Sequence, residues 1–213
     1  LPTYDVFDEY RYFEPSYEWN IIPFKGKKLA VTICEDIWNL GDNPLYRVCP
    51  MDRLIAWEPD VMINLSASPF DYDHDEDRKE IILANVLKYK LPLYYCNTVG
   101  SQTEIIFDGG SLIYDAGGNI VKELPYFEEA IEGMELEKLS GSHLQPVKPA
   151  AFTPLTELVF DHNINRIYDA LVLGIRDYFG KMGFTKAILG SSGGIDSAVT
   201  LAVACDALGK ENV

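Results

Sequence analysis

The chain has 213 residues, 47% hydrophobic and 24% charged, a globular balance, and carries a formal net charge of −15. That acidic surplus argues against nucleic acid or an anionic membrane as partner, and no apolar run reaches membrane-spanning length. The four cysteines, Cys34, Cys49, Cys96 and Cys205, show no paired spacing, so free thiols in a reducing cytoplasm are expected.

In chain order, residues 1–13 are aromatic and charged without a period and read as loop. Residues 19–24 are short and apolar, and Gly26 marks a turn. Residues 28–34 are rich in β-formers and predict a buried strand ending at Cys34. Pro44 can start a helix carrying Leu45, Val48, Leu54, Ile55 and Trp57, with an irregularity at Pro50. Residues 60–65 predict a second strand, and residues 64–70 its exit loop. The acidic run 71–77 reads as a solvated face that includes His74. Residues 77–89 predict a helix with Ile81, Ile82, Val86 and Leu87 inward. Residues 91–98 predict a third strand, and residues 111–115 and 120–124, around Gly117 and Gly118, a hairpin. Strand, helix, strand, helix and hairpin together predict a layered α/β domain over residues 1–140.

Residues 141–156 have linker composition. Thr153 can cap a helix that begins at Pro154, with apolar positions continuing to Phe179 and a stop at Gly183. A second unit, residues 157–213, then shows a short apolar run at Ala187, Ile188 and Leu189, read as a strand. A Gly/Ser loop follows, then a helical segment carrying Ala198, Leu201, Ala202, Cys205 and Leu208, stopped by Gly209. The chain opens without Met and stops one helix past that loop, so an interior segment of a longer protein is expected.

The loop Gly190-Ser191-Ser192-Gly193-Gly194-Ile195-Asp196-Ser197 has a composition suited to phosphate. Free N–H groups and the dipole at a helix start favour an anion. The glycines let backbone approach closely, and the serines add donors. Asp196 suits phosphate only with a cation between them, which makes it a magnesium-ligand candidate. No Gly-Lys-Ser/Thr follows, so this is not a Walker A loop. A plain Gly/Ser turn capping a helix has the same local chemistry. The stretch Ser192-Gly193-Gly194-Ile195-Asp196-Ser197 resembles the Ser-Gly-Gly-x-Asp-Ser loop of the ATP pyrophosphatases. The flanks, from Tyr168 through Gly174 and Arg176 to Tyr178 and from Ala207 to Val213, resemble NAD synthetases.

Cys34, at a strand end before two carboxylates, is either a core cysteine or a nucleophile. Val31-Thr32-Ile33-Cys34-Glu35-Asp36-Ile37-Trp38 resembles the nucleophile strand of the nitrilase, or carbon–nitrogen hydrolase, family. Residues 60–70 and 97–111 resemble its later motifs. The resemblance implies a Glu-Lys-Cys triad of which Cys34 alone is matched. It puts the Lys and Glu upstream of Leu1, and Lys25, Lys27 and Lys28 match no motif. It further implies the Glu35 backbone N–H as an oxyanion donor, and Tyr4, Glu9, Glu35, Trp38, Ser66, Ser68 and Arg78 as candidates around a bound glutamine.

Both resemblances in this order are the pattern of glutamine-dependent NAD synthetases. They imply an α-β-β-α sandwich, in part, followed by the start of a Rossmann-like ATP-pyrophosphatase domain. They imply glutamine, ATP and nicotinic acid adenine dinucleotide as substrates, Mg2+ as cofactor, an enclosed ammonia path, and a homo-oligomer. The acceptor-dinucleotide site is expected beyond Val213. Another amidotransferase on an ATP pyrophosphatase, a plain amidase, and a non-catalytic adaptor are the competing readings.

Overall fold

The computed structural model describes residue 8 and residues 11–40, 48–72, 74–140 and 160–213. Tyr4, Glu9, Pro44, Thr153, Pro154 and the proposed linker lie outside the described residues. The elements run β1 (Ile22–Phe24), β2 (Lys27–Ile33), α1 (Pro50–Leu54), β3 (Val61–Ser66), α2 (His74–Tyr89), β4 (Leu93–Asn97), β5 (Val99–Gln102) and β6 (Ile105–Asp108). They continue with β7 (Leu112–Tyr114), β8 (Ile120–Glu123), α3 (Phe160–Met182) and α4 (Ile195–Leu208). The fold is mixed α/β. No described helix is long and apolar enough to cross a membrane.

A six-stranded sheet has the order β1-β2-β3-β4-β7-β8. Its centre, β2, β3 and β4, is parallel, and the β1 and β7–β8 flanks are antiparallel. Strand alternation sorts the side chains into two faces. Ala30, Met62, Leu93, Leu112 and Tyr114 share one core with Met51 and Leu54 of α1 and with Ile82, Val86 and Tyr89 of α2. On the opposite face Ile33, Leu65 and Cys96 stand in register across the three parallel strands, and all three are exposed. One face is therefore covered by helices and the other is an open apolar face, the arrangement of half a sandwich.

Two expectations differ from the structure, and one element was not expected. Val48 is not helical, and the described helix after β2 begins at Pro50, which takes the first helical position where its missing N–H has no partner to lose. After Leu54 the chain tightens into a 3-10 turn over Ile55–Trp57 and turns away at Glu58, whose φ is 54°. Residues 187–189 form no strand. Ala187 instead donates its N–H to the Asn212 carbonyl at 2.8 Å, and Ile188 is exposed. An apolar run becomes a strand only beside a strand that accepts its ladder. Finally, β5 and β6 form a separate antiparallel hairpin that the sequence did not announce.

That hairpin carries α3. Gly174 lets the helix backbone close on the side chain of Ile106. Asp177 Oδ2 accepts the Ser101 N–H at 2.7 Å, and the Lys181 ammonium donates to the Ser101 carbonyl. On its other side α3 packs against α4, with Ala170, Leu173, Val203 and Ala204 buried. The α4 sequence is apolar on every side, so periodicity alone did not choose Val203 and Ala204 over the exposed Val199 and Leu201.

Candidate active site

The C-terminal ends of parallel strands are where open α/β sheets offer ligand crevices. Here the ends of β2, β3 and β4 bring together Cys34, Ser66 and Asn97, the last two in direct register. Cys34 follows the last residue of β2 and opens a 3-10 turn over Cys34–Ile37. Its φ is 43°, a left-handed value uncommon outside glycine and characteristic of strained functional positions. Two side chains hold that backbone. Asn64 donates Nδ2–H to the Cys34 carbonyl at 3.3 Å, and Asp36 Oδ2 accepts the Ile33 N–H at 2.9 Å.

The bend leaves the Cys34 side chain half-buried. Burial pushes the Cys34 pKa up, the Ser66 hydroxyl pulls it back, and the Glu35 carboxylate raises it again. The backbone N–H groups of Ala67 and Glu35 also face the sulfur and favour its charged form. Donors converging on a sulfur at a strand end can equally face the oxygen of an acyl group bonded to it.

Around this point runs a buried polar chain. Asn97 Oδ1 accepts the Ser68 N–H at 3.0 Å, and Asn97 Nδ2 donates to Gly109 O at 2.8 Å and to Asp108 Oδ1 at 3.2 Å. Arg78 forks onto both oxygens of Asp108 at 3.0 and 2.8 Å, and donates to Gly109 O at 3.2 Å. Arg78 and Asp108 are 2% and 1% exposed. The fork fixes α2 to the end of β6, and the loop after β3 is attached to the same strand by the Phe70 N–H, which donates to Ile106 O at 2.7 Å.

Of the residues named from sequence, Glu35, Ser66 and Ser68 thus gather near Cys34. Arg78 stands behind them, its two terminal nitrogens held by Asp108 and Gly109. Trp38 packs against the core under α2. Tyr4 and Glu9 are outside the described residues. Lys28 is held by the Trp57 carbonyl and Lys27 by Glu137, in keeping with their lack of a motif.

Sequence reasoning passed over Asn64, Tyr95, Asn97 and Asp108. Buried amides and carboxylates in otherwise apolar strands were the available signal, since polar groups are buried only where they are bonded or used.

The Gly/Ser loop stands at the start of α4. Gly193 has φ 81°, and Gly194 is the N-cap, without a side-chain cap. The N–H groups of the first helical turn therefore have no intrahelical acceptor. Ser197 Oγ donates to Gly194 O at 2.9 Å and lies 3.3 Å from Ser192 Oγ. No group of three or more metal-binding side chains occurs among the described residues. A single carboxylate at Asp196 suits magnesium only where phosphate oxygens and water complete the shell.

The NAD synthase family model matches residues 167–213, the unit holding this loop. A glutamine-dependent NAD(+) synthetase of Synechocystis is 41% identical over the whole chain, and that of Thermotoga maritima is 37% identical. Over its whole length the chain is similar in sequence to glutamine-dependent NAD(+) synthetases. It spans 37% and 40% of the length of those two proteins. The solved glutamine-dependent NAD+ synthetase of Acinetobacter baumannii, in complex with ADP, superposes on all of the chain with a TM-score of 0.80 at 34% identity, over 37% of its own length. These synthetases are thus matched across Cys34 as well as across the Gly/Ser loop.

Proposed function

We propose that this chain carries the nucleophile of a glutaminase site and the phosphate loop of an ATP-dependent NAD synthetase site. The division of labour follows the expected domains, residues 1–140 and 157–213 with a linker at 141–156. The observation that carries the reading is Cys34 at a left-handed bend, facing Ser66 and two backbone N–H groups, in one chain with a Ser-Gly-Gly loop opening a helix.

In the first unit the Cys34 thiolate attacks the side-chain amide carbon of glutamine. A C–S bond forms, and negative charge moves onto the amide oxygen. The Glu35 N–H, with that of Ala67, stabilises this oxyanion. Collapse breaks the C–N bond and releases ammonia, and water then cleaves the thioester to glutamate. Ser66 and Ser68 line the glutamine pocket, and Arg78 holds the Ser68 loop in place through Asp108 and Asn97.

In the second unit the carboxylate of nicotinic acid adenine dinucleotide attacks the α-phosphorus of ATP, and pyrophosphate leaves. Residues 190–197 face the departing phosphates with first-turn N–H groups and the Ser192 and Ser197 hydroxyls, preorganised donors for developing charge. Asp196 would hold Mg2+, which neutralises phosphate charge when bound. Ammonia then displaces AMP and gives NAD. Ammonia is protonated in bulk water, so an enclosed path between the sites, within a cytoplasmic homo-oligomer, belongs to the same reading.

The test compares glutamine with ammonium as nitrogen donor in the intact protein, with ATP, magnesium and nicotinic acid adenine dinucleotide, in wild type and Cys34→Ala. Loss of the glutamine reaction with the ammonium reaction kept is the expected result. A wild type that makes no NAD from either donor removes the proposal. Asp196→Asn should sharply weaken both reactions, and unchanged magnesium dependence removes the metal assignment.

A further inference from the structure

Tyr95 of β4 stands in register with Asn64 of β3, which stands in register with Thr32 of β2. All three are buried on the face below Cys34, Tyr95 at 2% exposure. Asn64 donates through Nδ2 to Thr32 Oγ1 and the Cys34 carbonyl, and its Oδ1 is buried without a partner among the described residues. The Tyr95 and Ser66 hydroxyls likewise complete no hydrogen bond there. Yet Tyr95 points to Ser66 and Ser68, and Ser66 points to the Cys34 thiol. Two buried, unsatisfied hydroxyls side by side below a thiol can form a relay that needs an acceptor at its end.

We propose that Tyr95 is a positioning residue for the Cys34 thiolate: its hydroxyl donates to Ser66 Oγ while the Ser66 hydroxyl donates to Cys34 Sγ. The inference rests on Cys34 being the glutaminase nucleophile. Both hydroxyls keep their protons, and the thiol proton goes to the general base. In the thiol form the relay has a poor acceptor and stays open. In the thiolate form each O–H has a partner, and hydrogen bonds in series on a charge strengthen one another. The relay thereby opposes what else acts on the sulfur, namely burial and the Glu35 carboxylate. Asp36, in the same turn, is held by the Ile33 N–H. The Arg78 guanidinium faces Tyr95 from α2, but Asp108 of β6 neutralises it. The phenol is itself pushed up by burial, so it remains a donor throughout the working pH range.

The experiment measures the rate of Cys34 alkylation by iodoacetamide against pH in the intact protein. The modified peptide is identified by mass, because Cys49, Cys96 and Cys205 are also free. Tyr95→Phe keeps the ring and removes the hydroxyl. Its alkylation midpoint should move up by about a few tenths of a pH unit, the strengthening that a second bond in series adds. Ser66→Ala, which removes the donor on the sulfur itself, should move it by about one pH unit; Ser66→Thr should restore the midpoint, and adding Tyr95→Phe to Ser66→Ala should add nothing further. With glutamine, Tyr95→Phe should lower kcat and leave KM in place. A Tyr95→Phe profile that overlays wild type overturns the proposal. Should Tyr95→Phe fail to fold, a Ser66→Ala profile that overlays wild type overturns it instead. A Cys34→Ala protein that still hydrolyses glutamine removes the nucleophile reading, and the alkylation profiles report on the relay independently of that result.

Discussion

The side chain of Asn64 ties β2 to the turn that follows it, donating to Thr32 Oγ1 at 3.0 Å and to the Cys34 carbonyl at 3.3 Å. A left-handed Cys34 is unfavourable by about 1–3 kcal/mol, so the bend persists only where its surroundings impose it. Asn64→Leu fills the same space without the donors. It should destabilise the fold by about 1–3 kcal/mol and lower glutamine-dependent turnover on the order of 10–100-fold, because the thiol is misplaced. Urea unfolding and initial rates with glutamine and with ammonium test this. Equal loss with both donors would mean that Asn64 supports the fold and not the thiol.

The Arg78–Asp108 pair is dry on both sides, which makes its two halves unequal to the whole. Asp108→Asn strands a buried guanidinium and should destabilise the protein by about 3–5 kcal/mol. Replacing both, as in Arg78→Met with Asp108→Leu, should cost less, since no buried charge is left unpaired. The same variants should raise KM for glutamine, because the pair holds the Ser68 loop through Asn97. Thermal melts of the three proteins decide the first point. A double variant as unstable as the single one contradicts it.

How far this was legible from sequence depended on what each residue needs. The strands β2, β3, β4, β7 and β8 follow from alternation and turn glycines, and Cys34 stands out because it ends the first of them. The β5–β6 hairpin was hidden. Its turn uses Thr103 at φ 57° where Gly or Asn would have signalled it, and its strands include Gly100 and the polar Ser101 and Gln102. The 187–189 run was over-read, because a strand is a property of its neighbours as much as of its own residues. The buried polar chain from Ser68 to Arg78 joins positions 30 residues apart in sequence, and no local pattern marks such a contact.

Asp36 gives the Cys34 turn a pH dependence. Burial pushes its pKa above the ordinary carboxylate range, and the Ile33 N–H holds it back. The folded protein therefore keeps this proton more firmly than the unfolded chain. The corresponding stability is fully present below the unfolded value, about pH 4, and is lost as pH rises through the folded value. Asp36→Asn retains an acceptor for Ile33 but does not titrate. The stability of Asp36→Asn relative to wild type should increase from pH 4 to pH 7, as read by urea midpoints. A difference that stays constant across that range would show that Asp36 titrates normally.

The contact between α3 and the β5–β6 hairpin joins the helix that packs on α4 to the earlier part of the chain, and Gly174 sets its distance. A Cβ on Gly174 would come within 3.2 Å of Ile106 Cδ1, the movable end of a side chain. Gly174→Ala should therefore be close to neutral, since Ile106 can shift while Ala gains about 1 kcal/mol of helix preference. Gly174→Leu cannot be absorbed that way and should lever the helix off the hairpin. Asp177→Ala should loosen the same contact by a different route, freeing the Ser101 N–H that Asp177 now accepts at 2.7 Å. Amide hydrogen exchange at Ser101 reports both. It should speed up in Gly174→Leu and Asp177→Ala and remain slow in Gly174→Ala. Slow exchange in all three would mean that the hairpin holds Ser101 without help from α3.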